Sequence, residues 1–162
     1  MLERPNLKVA VILERETVES RWESHRWRLV GALPDVGGEP RVIMENPRAV
    51  QRLFPGFDLT LFPDEAEGYY LNVSSGVPSV FFSLRIDEAT GEMYPFQATV
   101  SYNEAARWMD GGEQVDRVVA WPELAAWLGQ WVEDNYRPEV KKRRKPRSFQ
   151  GKEGVLREEG SS

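Results

Sequence analysis

Few side chains in this 162-residue sequence have the type and spacing that chemistry requires. Its one histidine, His25, sits in Trp22-Glu23-Ser24-His25-Arg26-Trp27, where Glu23 could orient it as a general base. No second histidine and no cysteine occurs to complete a triad or a zinc set, so His25 reads as a structural residue. The absence of cysteine also removes disulfide scaffolds, iron–sulfur ligation and thiolate nucleophiles. Asp64, Glu65 and Glu67 crowd into Pro63-Asp64-Glu65-Ala66-Glu67-Gly68, and hard cations take such oxygen ligands. Their spacing departs from the calcium-loop pattern, and an acidic solvated turn explains them. There is neither Gly-x-x-x-x-Gly-Lys-Ser/Thr nor Gly-x-Gly-x-x-Gly to cradle phosphate. Gly37-Gly38 and Gly111-Gly112 fall in turns, and Ser74-Ser75-Gly76 is not a nucleophile elbow. No catalytic residue, metal ligand or cofactor is assigned. The elimination leans away from an enzyme and toward an interaction or assembly factor.

Backbone elements must position whatever these residues do. Val9, Val11 and Leu13 recur at period two, which is a strand. Trp27, Leu29, Gly31 and Leu33 alternate with Arg26, Arg28 and Val30 in a second. Residues 34–40 are loop, and Arg41 to Met44 form a short edge strand ended by Asn46-Pro47. Phe57, Leu59 and Leu61, a turn over 63–68, then Tyr69, Leu71 and Val73 read as an antiparallel pair. Val80 to Ile86 and Tyr94 to Val100 read as another. The period then lengthens. Ser101-Tyr102-Asn103-Glu104 is a capping box, Tyr102, Ala105, Ala106 and Met109 share one helical face, and Gly111 is placed for a left-handed stop. Trp108 lies off that face, so it is the tryptophan expected at an exposed protein interface. Trp121-Pro122 opens a second helix, along which Leu124, Trp127, Leu128, Trp131 and Val132 keep helical spacing. The expected fold is α+β: an antiparallel meander sheet or partly open barrel of about six strands, followed by two C-terminal helices and a disordered basic tail.

The net charge of −5 hides an asymmetry: residues 1–136 carry −10 and residues 137–162 carry +5. The tail has too few apolar residues to offset its ordering entropy. We therefore expect one domain over 1–137 and a disordered tail over 138–162. The basic run contains Lys141, Lys142, Arg143, Arg144 and Lys145. It suits a solvated tail first, docking on an acidic protein surface second, and nucleic acid third, because the acidic body repels phosphate. A composition of 41% hydrophobic and 29% charged residues fits a soluble globular protein. With no apolar run of membrane-span length and no signal-peptide core at Met1 to Lys8, the expectation is a cytoplasmic protein with no membrane contact.

Four stretches carry a family resemblance. They are Val9-Ala10-Val11-Ile12-Leu13-Glu14-Arg15; Arg21-Trp22 through Trp27 with Gly31-Ala32-Leu33-Pro34; Leu61 through Asn72 with Pro78-Ser79-Val80-Phe81; and Val100 through Asp110 with Gly112-Glu113. Over about residues 8–145 the chain resembles a bacterial family of unknown function. Genes of that family often lie near molybdenum-dependent formate dehydrogenases, and its members are frequently labelled molybdopterin-guanine dinucleotide biosynthesis protein A. The resemblance carries no catalytic assignment. It implies a non-enzymatic accessory factor in assembly or maturation of such a dehydrogenase, with a dehydrogenase subunit or maturation factor as protein partner. The label implies instead a nucleotidyltransferase of molybdenum-cofactor synthesis, with a doubly wound parallel sheet and a Gly-rich first loop. Here Glu14-Arg15-Glu16-Thr17-Val18-Glu19 follows the first strand, an acidic segment where phosphates would sit. Tail-driven nucleic-acid binding ranks third. Under the accessory reading the expected contact surface is Tyr102, Asn103, Arg107, Trp108 and Asp110. Asp64, Glu65 and Glu67 form a second patch, and Lys141 to Lys145 a docking run.

Overall fold

Val9, Val11 and Leu13 are buried together in β1 (Asn6–Thr17), as their period-two spacing requires. The structure, a computed structural model, describes residues 4–19 and 25–138. β1 pairs antiparallel with β2 (His25–Pro34) on one side and β4 (Ala49–Thr60) on the other. β4 pairs in turn with β3 (Arg41–Glu45), so this sheet has the order β2-β1-β4-β3. In a second antiparallel sheet β5 (Ser79–Ile86) lies between β6 (Met93–Thr99) and β7 (Gln114–Val119). A 3-10 turn at Pro63–Glu65 leads into α1 (Ala66–Ser74). α2 (Tyr102–Asp110) joins β6 to β7, and α3 (Pro122–Asn135) follows β7.

One core holds the layers together. Val80, Phe82 and Leu84 of β5 meet Val9, Val11, Leu13 and Leu59 of the first sheet, and Leu124, Leu128 and Val132 of α3 close it. The Phe57 and Phe82 rings meet edge to face at 5.5 Å across the two sheets. Full burial of each such side chain contributes about 1.5–3 kcal/mol. Among the described residues no helix is long and apolar enough to cross a membrane.

The α+β class and the antiparallel pairing are as expected, and both C-terminal helices form. The details differ in several places. The described strands number seven, divided between two sheets with no closed barrel, and β1 reaches past β3 in sequence to pair with β4. Residues 114–119, which show no clean alternation, form β7 and separate α2 from α3. Tyr69, Leu71 and Val73 belong to a helix, not a strand. In α1 the buried residues are Ala66, Gly68, Tyr69 and Asn72, a helical spacing that alternation of the apolar residues alone conceals. Asn72 decides the matter. Its Nδ2 donates to the carbonyls of Ser79 at 2.8 Å and Val100 at 2.9 Å, and its Oδ1 accepts from the Ser79 amide at 3.0 Å. A buried amide so fully satisfied pins α1 to the start of β5 and the end of β6.

The end of α2 also departs from the sequence expectation. Gly111 has φ −85°, and it is Gly112, at φ +95°, that takes the left-handed position. The Gly112 amide donates to Met109 O and the Glu113 amide to Trp108 O, each at 3.0 Å, which is a Schellman ending. Glu23, Lys141 to Lys145 and most of the expected tail lie outside the described residues.

Candidate functional site

The 3-10 turn and the start of α2 each present acids and polar groups, and the fold brings them together. Gly68 makes this possible. A Cβ there would stand 2.1 Å from Ser101 Oγ and 3.1 Å from the Asn103 amide nitrogen, so only glycine lets α1 approach α2 this closely. Ser101 Oγ accepts from the Glu104 amide at 3.0 Å, the first half of the expected capping box. The second half is replaced by a relay: the Ser101 amide donates to Thr99 Oγ1 at 3.0 Å, and Thr99 Oγ1 donates to Glu104 Oε1 at 2.6 Å.

Glu65 joins the two elements. Its Oε1 accepts from Ser101 Oγ at 2.6 Å, and its Oε2 accepts from Arg107 Nη2. Asn103 Nδ2 reaches Glu67 Oε1 at 3.4 Å. So Glu65, Glu67, Asn103 and Arg107, named from sequence as two separate patches, form two bridges between the same two elements, Glu65 with Ser101 and Arg107, and Glu67 with Asn103. Their polar groups are engaged with each other. Asp64 and Asp110 are exposed at the two ends, and Asp64 stands in the 3-10 turn without a part in these bridges.

The two aromatic residues of α2 differ in exposure. Trp108, expected at the surface, is half-buried. Tyr102, expected in the contact surface, is 50% exposed; Met109, which shares a helical face with Tyr102 and Ala105, is 53% exposed, while Ala105 is buried. Tyr102 borders a cleft of about 320 Å³ with Leu71 of α1, Phe81 of β5 and Arg117 of β7. Its ring meets Phe81 edge to face at 6.2 Å. Arg117 lies opposite Phe81 in the β5–β7 register. Leu71, Phe81 and Arg117 are not among the site residues expected from the sequence. The alternation of Leu71 with its neighbours suggests a strand, and Arg117 lies in a stretch with no clear sequence pattern. The signal available for Arg117 was its isolation as a cation between the valines of 115–119.

Two carboxyls that pair with cations lie outside these bridges and the Tyr102 cleft. Asp58 and Glu113 are both held below the usual carboxylate range, each mainly by a hydrogen bond from a cation, Lys8 and Arg85 respectively. Such carboxyls are poor proton donors at neutral pH. The Tyr69 phenol is pushed up to about 12, chiefly by burial. It accepts from the Phe62 amide at 3.0 Å and donates to Thr60 O at 3.4 Å, which fixes the turn that leads into Glu65. Among the described residues no group of three His, Asp or Glu side chains stands close enough to hold a metal ion.

No curated protein and no solved structure matches the chain significantly. A family model described as "Protein of unknown function (DUF3305)" matches residues 8–145, a span that contains every residue of the α1–α2 bridges and of the Tyr102 cleft. The chain belongs to this family, DUF3305.

Proposed function

We propose that this protein acts by protein–protein contact, as an accessory factor in assembly or maturation of a molybdenum-dependent formate dehydrogenase. The choice of partner rests on the family resemblance of its four sequence stretches. The observation that carries the contact reading is the exposed Tyr102 bordering a cleft of mixed apolar and polar lining beside Arg117. Aromatic and arginine side chains gathered at a shallow cleft are the composition of interface hot spots. The Glu65 network supports this use, because it holds α2 against α1 and so presents Tyr102 on a rigid shoulder. Rigid anchors lose less entropy on binding. Against the nucleotidyltransferase reading stands the antiparallel pairing of every described strand, where that label implies a parallel doubly wound sheet.

The test is direct binding of the full-length chain to a purified molybdenum-dependent formate dehydrogenase and to its apo form, measured by calorimetry. Tyr102→Ala and Arg117→Glu should each weaken binding about tenfold or more without lowering the melting temperature. Undiminished binding by both variants removes the surface assignment. No binding of the unaltered chain to either form of the dehydrogenase removes the assembly role.

A further inference from the structure

Two bulged strands border a second, larger cleft on the molecule. β4 has an extra residue at Pro55-Gly56, where Val9 of β1 opposes Phe57 and Val11 opposes Phe54. β6 has an extra residue at Phe96, where Ser83 of β5 opposes Gln97 and Leu84 opposes Pro95. A bulge kinks its strand and re-aims the side chains beside it. Both bulges line one cleft of about 730 Å³, whose apolar walls include Phe54, Pro55, Phe57, Pro95 and Phe96. Small-molecule sites span about 300–1,000 Å³ and combine such walls with a few polar groups that fix orientation.

The polar groups here are unevenly matched. Glu92 Oε2 is bonded by Arg15 Nη1 at 2.6 Å. Arg52 Nη1 lies 3.8 Å from Glu92 Oε1, beyond hydrogen-bond distance. Asp87 also lines the cleft, but its Oδ1 accepts from the Ala89 amide within its own turn at 2.9 Å. Two guanidinium groups therefore share one carboxylate, and Arg52, with 44% of its side chain exposed, keeps donors to spare. Its planar fork fits a carboxylate in two parallel hydrogen bonds. The phenylalanine walls fit a flat apolar body, and the Arg85 guanidinium, 3.6 Å from the Phe96 ring centroid, already covers one face of that ring. We infer that this cleft binds a small aromatic carboxylate, with its ring among Phe54, Phe57 and Phe96 and its carboxylate on Arg52. The site shares no residue with the Tyr102 cleft and does not depend on the partner proposed above.

The experiment titrates the full-length chain with 2-naphthoate and with its neutral counterpart 2-naphthamide, read by calorimetry and by backbone amide chemical shifts. Naphthoate should shift residues 52–57 and 92–96 and bind about tenfold more tightly than naphthamide. Arg52→Gln should abolish that preference at an unchanged melting temperature, and Arg52→Lys should retain part of it. Phe96→Ala should weaken both probes alike. Several results would overturn the inference: no binding at millimolar probe, shifts centred elsewhere, or equal affinity for the two probes. A preference that survives Arg52→Gln, indifference to Phe96→Ala, or tighter binding of an uncharged proline-rich peptide at the same residues would overturn it as well.

Discussion

Asn72→Ala should be among the most damaging single substitutions in this protein, although the sequence places Asn72 at an ordinary polar position. The change strands three backbone groups, the amide and carbonyl of Ser79 and the carbonyl of Val100, and Ser79 and Val100 are 1% and 2% exposed. Each buried group left unsatisfied costs about 1–3 kcal/mol. Carbonyls have a second lone pair and neighbouring losses are not additive, so the lower half of the sum applies, about 3–6 kcal/mol. A domain of this size has about 5–15 kcal/mol in total, so a large part of its stability goes. Urea denaturation gives the number. Asn72→Asp is the sharper variant. The carboxylate can still accept from the Ser79 amide, but it faces two carbonyls to which it has nothing to donate unless protonated. Burial and those carbonyls raise the folded-state pKa above the unfolded value. The native state then binds more protons than the unfolded state, so stability is retained at low pH and lost as pH rises past the unfolded carboxyl value. Measured against the unaltered chain at each pH, the penalty of Asn72→Asp should be smaller at pH 4 than at pH 7. A loss under about 1 kcal/mol for Asn72→Ala, or a pH-independent penalty for Asn72→Asp, would refute the reasoning.

Gly68→Ala raises intrinsic helix propensity by about 1 kcal/mol, yet its Cβ meets Ser101 Oγ at 2.1 Å. The clash should win, with a net loss of about 1–3 kcal/mol, and a stabilised variant in thermal unfolding would show that the helices can part at no cost. Ser83 is fully buried and its hydroxyl has no hydrogen-bond partner among the described residues. Ser83→Ala should therefore be neutral or stabilise by up to about 1 kcal/mol, and a clear drop in the urea midpoint would reveal a hidden partner for the hydroxyl. The Tyr69 phenol titrates at about 12 in the folded state against 10.0 for a free one. Between those values the unfolded chain loses its proton first, so stability falls as pH climbs through that window. Alkaline unfolding should accordingly be shallower in Tyr69→Phe, and an unchanged pH profile would contradict the assigned shift.

The α+β class, the first two strands, the α2 start and the Trp121-Pro122 opening of α3 were legible because each depends on near neighbours. Period-two burial in Val9, Val11 and Leu13, the Ser101 cap on the Glu104 amide, and proline at the first turn are all local effects. α1 was misread because Tyr69, Leu71 and Val73 alternate as a strand would. What makes the segment helical is the burial of Asn72 against Ser79 and Val100, residues 7 and 28 positions away. β7 is illegible for a related reason: its ladder partners in β5 lie 30 to 40 residues earlier.

The candidate site divides along the same line. Residue types alone excluded cysteine chemistry and histidine clusters, and they gathered the aromatic and charged groups of 101–110 on one segment. They could not tell which of Tyr102 and Trp108 meets solvent, because that depends on what packs against α2. Nor could they join Glu65 to Arg107, 42 residues apart, or set Tyr102 beside Arg117 across Phe81. Sequence fixes propensity and period through contacts within a few residues. Which side chains share a surface is decided only when distant elements compete for the same buried space.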